Sequence, residues 1–419
     1  MTIHVGQSSA LNVEASTFEF VERKGEGHPD TLSDIIADTY VLNYINDCWA
    51  KFPELKEAKR FPNLYVDKIM LAGAISTATF GSYDIVAPPE AILVGKVTTH
   101  IGMVDLGVET IFEKTVKDVF VSILKHEDSV RNLKFHYKNN NLGGADHGRG
   151  FYNPNSTEEL LTILSKESVS NDSCIITAHY PYSLLEKMTV FAERMINGEE
   201  FKKTFSSTGT DVKVLSVRNG DQFDITSCVP FHPERTLSPE YYYSTVSDIH
   251  EFISAKMNDF LKANSHIRKH HINVSINTKD DGNQVYLAPW GTALSKGDSG
   301  VVGRGNKYNG FISVSRPSSV EAPAGKNPNH FAGKIYTFFA QELAKSIYRE
   351  FGVGNQITIS SRNGHLLDQP AFILIDCLRK PSARIQRQIE ELAKMELKCI
   401  DDYRCKLLEI DPVARFRYE

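Results

Sequence analysis

Residues 297–306 read Gly-Asp-Ser-Gly-Val-Val-Gly-Arg-Gly-Asn and, together with Gly-Lys-Asn-Pro at 325–328, form the most informative part of the chain. Six Lys or Arg and two acids lie between Lys296 and Lys334, a local charge of +4 in a chain that carries −5. Glycine lets a backbone approach a ligand closely, and clustered bases neutralise a polyanion. The single acid Asp298 among them suits a divalent metal that also binds phosphate. The region predicts a polyphosphate and metal site; a solvated basic loop is the alternative.

The bulk composition limits the classes of protein that this chain can belong to. Its 419 residues are 41% apolar and 24% charged, which fits a globular protein of two or three subdomains. The negative net charge argues against a nucleic-acid partner bound by bulk electrostatics. The six cysteines form no C-x-x-C pair and no secretion signal is evident, so we expect a cytoplasmic protein. No apolar stretch is long enough for a membrane span.

Helical and strand-like segments alternate irregularly along the chain. Apolar spacing predicts helices over Thr110–His126, His330–Phe351 and Pro381–Cys399. Strand patterns cover residues 69–80, 85–97 and His270–Asn277. This order predicts a mixed α/β or α+β fold with largely antiparallel sheets rather than a doubly wound nucleotide fold. The P-loop and the G-x-G-x-x-G motif are both absent, so a nucleotide site must be built in another way.

Near the N-terminus, Gly-Glu-Gly-His-Pro-Asp at residues 25–30 opens a helix, with Pro29 at its first position. His28 and Asp30, held on this glycine-flanked turn, suit a site where the imidazole donates to a developing anion and the carboxylate holds a metal. Asp30, Asp34 and Asp38 recur every four residues on one helical face. Like charges at this spacing repel, so either another group compensates them or they are solvated.

Two further segments carry weaker signals. Residues 143–150 form a glycine-rich loop that contains Asp146, His147 and Arg149; a simple flexible turn is an equal alternative. Residues 211–217 have the pattern of a strand, and the two-residue period places Asp211 and Lys213 on the same face. A surface ion pair of little energetic weight explains this pair equally well.

Taken together, four ordered motifs resemble those of the S-adenosylmethionine synthetase (methionine adenosyltransferase) family. They are the G-H-P-D element at 27–30, the loop around Asp146, the D-x-K element at 211–213, and the paired stretches 297–306 and 321–328. The resemblance covers roughly residues 15 to 375 and is greatest to the archaeal-type branch. It implies that methionine sulfur attacks C5′ of ATP in an SN2 displacement, giving S-adenosylmethionine, and that the released triphosphate is hydrolysed to pyrophosphate and phosphate.

The resemblance also implies roles for individual residues. The catalytic residues would be His28, Lys213 and Lys326; the ATP and triphosphate ligands Asp146, Asp211, Arg304 and Lys334; the methionine-side contacts Asp67 and Asp146; and the metal ligands Asp30 and Asp298. Two Mg²⁺ ions are implied as cofactors, and K⁺ is a further candidate. These groups would neutralise a leaving group of about four negative charges, which is the main electrostatic demand of the reaction.

The family fold implied for this chain is α+β, with residues 1–419 forming one unit of three interleaved α/β subdomains in a pseudo-threefold arrangement. The flat faces of its mixed sheets would pack across the interface of a homodimer, or of a dimer of dimers, with the active site between subunits. Ala145, His147 and Arg149 depart from the family pattern in the central loop, and Ala74 replaces a methionine-contacting glutamate of the bacterial branch. These departures leave nucleotide and amino-acid preference open.

Three alternatives to the synthetase interpretation remain. The same cage of bases could serve a tripolyphosphate or nucleotide phosphohydrolase, since hydrolysis is half of the family reaction. A non-enzymatic paralogue would have lost cage residues, yet His28, Lys213 and Lys326 are all present. An enzyme of the same reaction type with an altered amino-acid or nucleotide substrate is the third.

Overall fold

The structure is a computed structural model that describes residues 1–7, 12–141, 151–165, 169–264 and 270–418. Its strands are β1 (Thr2–Gly6), β2 (Phe18–Lys24), β3 (Leu64–Ala72), β4 (Ile75–Thr79), β5 (Ser82–Ala87), β6 (Glu90–Val97), β7 (His100–Ile101), β8 (Val104–Asp105), β9 (Lys134–Asn139), β10 (Ile175–Tyr180), β11 (Lys213–Asn219), β12 (Gln222–Cys228), β13 (His271–Ile276), β14 (Gly300–Val301), β15 (Ile312–Ser313), β16 (Asn355–Ser360) and β17 (Phe372–Cys377).

The helices of this part of the chain are α1 (Pro29–Lys51), α2 (Pro53–Glu57), α3 (Val108–Leu124), α4 (Thr157–Leu164), α5 (Leu184–Asn197), α6 (Glu199–Thr204), α7 (Pro239–Asn264), α8 (Ala332–Phe351), α9 (Ala383–Lys398), α10 (Ile400–Glu409) and α11 (Pro412–Tyr418). Within the described ranges, no helix combines the length and apolar character that crossing a membrane requires.

Most strands belong to three mixed sheets. Sheet I has the order β1-β17-β16-β10, sheet II the order β13-β12-β11-β2-β15, and sheet III the order β14-β3-β6-β9. Each sheet has one parallel pair at an edge, namely β1 with β17, β13 with β12 and β9 with β6, and its other pairs are antiparallel. The prediction of a mixed fold with largely antiparallel sheets is therefore confirmed.

The same succession of elements occurs three times along the chain. It runs α1-β3-β6-α3-β9 for sheet III, α5-β11-β12-α7-β13 for sheet II, and α8-β16-β17-α9 for sheet I, which β1 completes. The strands before each first helix join the sheets of other units: β2, before α1, joins sheet II; β10, before α5, joins sheet I; and β14 and β15, both before α8, join sheets III and II. The units are interleaved by this exchange of strands, while a threefold axis in space stays a prediction.

A separate apolar core fills the space between each sheet and its helices. Val116 of α3 and Ile69 of β3 belong to the core of sheet III. Ile253 of α7 packs in the core of sheet II, and Phe339 of α8 in that of sheet I. On the other face of sheet II, apolar residues such as Phe18 and Leu215 are exposed in the single chain.

The main helices and strands follow the sequence pattern closely. The α3 helix ends at Leu124 because Lys125 adopts a left-handed backbone conformation (φ 52°), and α9 begins after Ser382, whose side chain caps it. One expectation needs correction: the strand predicted from Asp211 begins at Lys213. Asp211 lies in the preceding loop, where its amide donates to the Gly291 carbonyl, so Asp211 and Lys213 do not share a strand face.

The C-terminal helix α11 packs on the body of the same chain. Arg415 lies 3.2 Å from the Asp38 carboxylate of α1, and Arg23 of β2 donates to the Phe416 carbonyl at 3.0 Å. The Arg23 guanidinium also lies 4.5 Å from the centre of the Phe416 ring. These contacts tie the last helix to the face of α1 that carries the acidic residues.

Candidate active site

The site is built around the first turn of α1. His28 is the N-cap residue, and its Nδ1 atom accepts a hydrogen bond from the Asp30 amide at 3.1 Å. Since Nδ1 is an acceptor, a neutral ring carries its proton on Nε2, which is then a donor away from the helix. Gly300 crosses this turn so closely that a Cβ there would lie 2.0 Å from the Pro29 carbonyl oxygen. The glycine-rich stretch is therefore held against the helix N-terminus.

The Asp30 carboxylate connects three separate segments. It accepts a hydrogen bond from the Val301 amide at 3.1 Å and forms an ion pair with Lys24 at 2.9 Å. The Lys24 ammonium also donates to the Arg304 carbonyl at 2.6 Å. The Asn306 side chain pairs with both the amide and the carbonyl of Lys24, at 2.9 and 2.7 Å. The end of β2, the start of α1 and residues 301–306 thus form one rigid unit.

The charges around His28 determine its protonation state. Burial disfavours the imidazolium, and the nearby charges of Lys24, Lys213 and Arg304 disfavour it further, so that the pKa falls to about 4 despite the attraction of Asp30. His28 is therefore neutral at physiological pH, beside a concentration of positive charge. Such an arrangement can bind a polyanion and donate a hydrogen bond to it.

Two more carboxylates lie at the edge of this cluster. Asp211 is buried and accepts hydrogen bonds from the Ala293 amide at 2.7 Å and the Thr292 hydroxyl at 3.4 Å. Burial, to which repulsion by Asp298 adds, raises the pKa of Asp211 to about 7. The Asp298 side chain is exposed two residues before Gly300. The repulsion shows that Asp211 and Asp298 lie near each other, and hard carboxylate oxygens of this kind are the ligands that Mg²⁺ prefers.

Each acid of the α1 stripe accepts a hydrogen bond from a backbone amide, and two of the three also have cationic partners. Asp30 accepts from Val301, Asp34 from Gly303 at 2.9 Å, and Asp38 from Gly325 at 2.8 Å. Asp30 and Asp38 also have cationic partners, whereas Asp34 has no ion pair within 4.0 Å among the described residues. Burial and the two neighbouring acids raise the pKa of Asp34 to about 7, against the Gly303 hydrogen bond. The stripe anchors the glycine-rich region rather than facing solvent.

Lys326, Lys334 and Asp67 form a second group farther along α1. The Lys334 ammonium lies 2.7 Å from Asp38, which is eight residues beyond Asp30 and so about 12 Å along the helix axis. Lys326 is 3% exposed, and its ammonium donates to the carbonyls of Val66 and Asp67 at 2.7 and 2.9 Å. The structure thus places these three residues together, but apart from the His28 cluster.

The predicted site residues consequently divide into groups. The contacts and electrostatic effects described above define a first cluster, which contains His28, Asp30, Asp211, Lys213, Asp298 and Arg304. Asp146, with its neighbours Ala145, His147 and Arg149, lies outside the described residues. Ala74 is buried in the core of sheet III.

Lys24 and Asn306 are the residues that the sequence prediction missed. Asn306 ends the stretch 297–306 and Lys24 directly precedes the element 25–30, but only their contacts with distant segments distinguish them from their neighbours.

A cleft opens next to the first cluster. It lies between β10 and residues 303–324, and water-sized molecules can occupy about 110 Å³ of it. Asp34 and Gly303 lie on the wall nearest to α1, and Arg316, Glu321 and Arg415 supply further charged groups. The glycine-rich stretch therefore has the helix N-terminus on one side and an accessible cleft on the other.

Comparison with known proteins gives a consistent result. Residues 1–411 match the S-adenosylmethionine synthetase (AdoMet synthetase) family. An S-adenosylmethionine synthase from Aeropyrum pernix is 30% identical over 95% of this chain and 96% of its own length, and one from Haloarcula marismortui is 29% identical over 88% and 87%. A solved structure of an S-adenosylmethionine synthetase from Campylobacter jejuni has a TM-score of 0.53 at 14% identity and covers 96% of this chain and 98% of its own, a likeness of fold.

Proposed function

The chain belongs to the S-adenosylmethionine synthetase family and is an ATP-dependent methionine adenosyltransferase, and from this premise we propose that the His28 cluster binds the triphosphate of ATP. The observation that carries the assignment is the convergence of Lys24, Lys213 and Arg304 on a neutral imidazole at a helix N-terminus. Positive side chains, a helix dipole and an N–H donor are the groups that a departing polyphosphate needs.

The chemistry of the cluster follows from the demands of the displacement. Methionine sulfur attacks C5′ of ATP, the C5′–O bond breaks, and the electron pair leaves with the triphosphate. The sulfur needs no base, because a thioether has no proton to lose. His28 donates its Nε2 proton in a hydrogen bond to a developing anionic oxygen, and Lys213 and Arg304 neutralise the leaving group. The Asp30 contacts hold these side chains and the backbone around them in fixed positions, so fewer groups have to move during the reaction.

The family uses metal ions in catalysis, and we assign Mg²⁺ to Asp30 and Asp298, with Asp211 adjacent. Bound Mg²⁺ would supply charge neutralisation at the phosphate oxygens. The Lys24 ammonium occupies one Asp30 oxygen at 2.9 Å, so metal binding there requires either displacement of that contact or sharing of the carboxylate. A second Mg²⁺ and a K⁺ ion stay proposals without a residue set in the described structure.

We further propose that the complete site needs a second subunit. Lys334 pairs with Asp38, about 12 Å farther along α1 than Asp30, and Lys326 donates to the carbonyls of Val66 and Asp67 rather than to the His28 cluster. Exposed Phe18, Phe20 and Leu215 on the outer face of sheet II offer an apolar surface that a partner sheet would cover. We propose a homodimer or a dimer of dimers, with Asp146 and the methionine-side residues at the interface. We also propose a cytoplasmic location.

The test is a mass-spectrometric assay of the purified protein with ATP, methionine, Mg²⁺ and K⁺. We expect S-adenosylmethionine to form together with phosphate and pyrophosphate. Lys213→Met should reduce its formation by roughly two orders of magnitude, as expected for a key electrostatic contact. Phosphate release that is independent of methionine, without the sulfonium, would favour the phosphohydrolase alternative instead.

A further inference from the structure

Outside the active site, two imidazoles and a carboxylate meet where two units of the fold touch. His126 follows α3 of the sheet III unit, whereas His232 and Glu234 lie in the turn after β12 of the sheet II unit. His126 Nε2 is 3.3 Å and His232 Nδ1 is 3.6 Å from the Glu234 Oε1 atom. One ligand atom from each residue lies within 4.8 Å of the other two.

We propose that His126, His232 and Glu234 form a binding site for a divalent transition-metal ion of the zinc class, which joins the two units. Zinc bonds to imidazole nitrogen and carboxylate oxygen have lengths of about 2.0–2.2 Å, which makes the edge of a tetrahedral site about 3.3–3.6 Å. The separations of 3.3 and 3.6 Å match that edge with little movement. The soft-to-borderline nitrogen ligands favour zinc over the magnesium of the active site.

Unsatisfied polar atoms give an independent reason for a ligand. The Nδ1 atoms of His126 and His232 and the Oε2 atom of Glu234 are buried without a hydrogen-bond partner. His232 is 4% exposed, so bulk water has little access to its ring nitrogen. Three orphaned buried polar atoms within one small cluster are costly, and a metal ion coordinated by His232 Nδ1 would remove one of them directly.

The protonation states also suit a cation. Burial lowers the pKa of His232 to about 3, although Glu234 attracts its proton. For Glu234, burial alone would raise the pKa, but hydrogen bonding from His126 and the other interactions outweigh it and hold the pKa below its usual value. At neutral pH the cluster therefore presents a free imidazole nitrogen and an ionised carboxylate, the forms that bind metal.

The competing interpretation is an imidazole–carboxylate hydrogen bond with a packed second histidine. Arg235 favours this hydrogen-bond interpretation, because its Nε atom lies 3.7 Å from Glu234 and already gives the carboxylate a cationic neighbour. The two rings are nearly parallel, at 16° with centres 5.9 Å apart, and both direct a nitrogen at the same oxygen. A hydrogen bond from His126 satisfies Glu234 Oε1 but leaves the His232 nitrogen unpaired, whereas a metal ion uses both rings.

The location gives the ion a structural role. A Cβ at Gly291 would lie 2.9 Å from the His232 ring, and Gly291 directly precedes the Thr292 and Ala293 groups that hold Asp211. A metal ion here would fix the end of α3 to the loop behind the active site. We therefore expect it to raise stability rather than to take part in the transfer step.

The test uses Co²⁺ as a spectroscopic probe of the full-length protein, after removal of bound metal by a chelator and in excess Mg²⁺ to occupy oxygen-only sites. Wild type should bind one Co²⁺ with the strong visible absorption of a low-symmetry nitrogen-ligated ion. Glu234→Gln and His126→Asn should weaken this binding by at least tenfold, within the range seen when metal-site partners are lost. His136→Asn is the matched control, since His136 contacts Glu90 at 2.9 Å on the surface without a second imidazole.

A second measurement tests the metal site in the wild-type protein, without substitutions. X-ray absorption of the Zn²⁺-loaded wild type should show two imidazole nitrogens around zinc, and Zn²⁺ should raise the thermal midpoint while excess Mg²⁺ does not. An oxygen-only shell, no stoichiometric binding, or equal Co²⁺ affinity in wild type, Glu234→Gln and His136→Asn would overturn the proposal.

Discussion

The Lys326 ammonium group lies 2.9 Å from the backbone carbonyl of Asp67, at the point where the pairing of β3 with β6 is interrupted between Val66 and Lys68. A bulge leaves backbone groups without ladder partners. The lysine satisfies two of them, Val66 and Asp67, and the rings of Tyr65 and Phe331 lie within 6 Å of its charge. Lys326 therefore stabilises an irregular strand within its own chain, whatever it contributes to the reaction.

We expect Lys326→Met to destabilise the protein by about 1–3 kcal/mol, because the buried Val66 carbonyl loses its side-chain donor, whereas the Asp67 carbonyl keeps a contact with Lys68. Denaturant unfolding at neutral pH measures this. Lys307→Met is the matched control, since Lys307 donates to a single, partly buried carbonyl, that of Ser319 at 3.0 Å. Unaltered stability of Lys326→Met, combined with loss of S-adenosylmethionine formation, would place Lys326 in the triphosphate cage and contradict the structural role.

Asp34 gives the stability a pH dependence of predictable sign. Its folded-state pKa, about 7, lies above the usual value of 3.8. The favourable contribution of the protonated group is thus fully present below about pH 4 and is lost as the pH rises through about 7. We expect Asp34→Asn to flatten this dependence and to be more stable than wild type at pH 8 by roughly 1 kcal/mol, after allowance for solvent screening.

Asp38→Asn is the control of opposite sign. Burial would raise the pKa of Asp38, but Lys334 and Arg415 outweigh burial and lower it. Removing this charge leaves Lys334 without its buried partner, so the variant should lose stability at pH 8. Thermal midpoints of both variants and wild type between pH 5 and 8 provide the comparison; an identical pH slope in wild type and Asp34→Asn would refute the prediction.

Substitutions at His28 can separate its role as the N-cap of α1 from its role in the reaction. Asparagine can still accept the Asp30 amide hydrogen bond at the N-cap, but it lacks the Nε2 donor. We therefore expect His28→Asn to keep stability within about 0.5 kcal/mol of wild type, the range of a neutral substitution, and to lower kcat roughly 10²–10³-fold. His28→Ala should in addition lose about 1 kcal/mol of stability.

The His28 pKa of about 4 adds a pH test. Activity controlled by this group should show no titration between pH 6 and 8, and a fall should appear only as the pH approaches 4. Because this pKa belongs to the enzyme without substrate, the measurement is kcat/KM against pH; a wild-type limb near pH 6.5 that disappears in His28→Asn would indicate an ordinary, solvated histidine instead.

Asp298→Asn should raise the Mg²⁺ concentration needed for half-maximal activity at least tenfold, because it removes a charged oxygen ligand. The measurement is a Mg²⁺ titration of the initial rate at saturating ATP and methionine. Glu199→Gln is the control, since the Glu199 side chain is 87% exposed at the start of α6. An identical titration for Asp298→Asn and Glu199→Gln would remove Asp298 from the metal site.

The local part of the site was predictable from the sequence, because its motifs encode local geometry. Pro29 at the first helical position and His28 before it give the α1 N-terminus directly. The partners of Asp34 and Asp38 were not predictable, since backbone amides at 303 and 325 leave no trace in residue type. A charged residue looks the same in the sequence whether an amide, a lysine or water compensates it.

The separation of Lys326 from the His28 cluster has a similar cause. The basic residues between 296 and 334 are close in sequence, and the sequence pattern joins them in one site. In the fold, β14 pairs with β3 near the N-terminus of α1, whereas residues 325–326 lie beside Asp38 and the bulge of β3. Residues that are close in sequence therefore lie at two different positions along α1. The topology that divides them depends on strand exchange, for which no local pattern exists.

The pairing of β1 with β17 has a consequence for synthesis of the protein. Thr2 is in register with Phe372, so β1 has no partner strand in sheet I until the segment around residue 372 has left the ribosome. Sheets II and III likewise wait for β15 and β14. None of the three sheets can therefore be completed during translation before the glycine-rich stretch emerges.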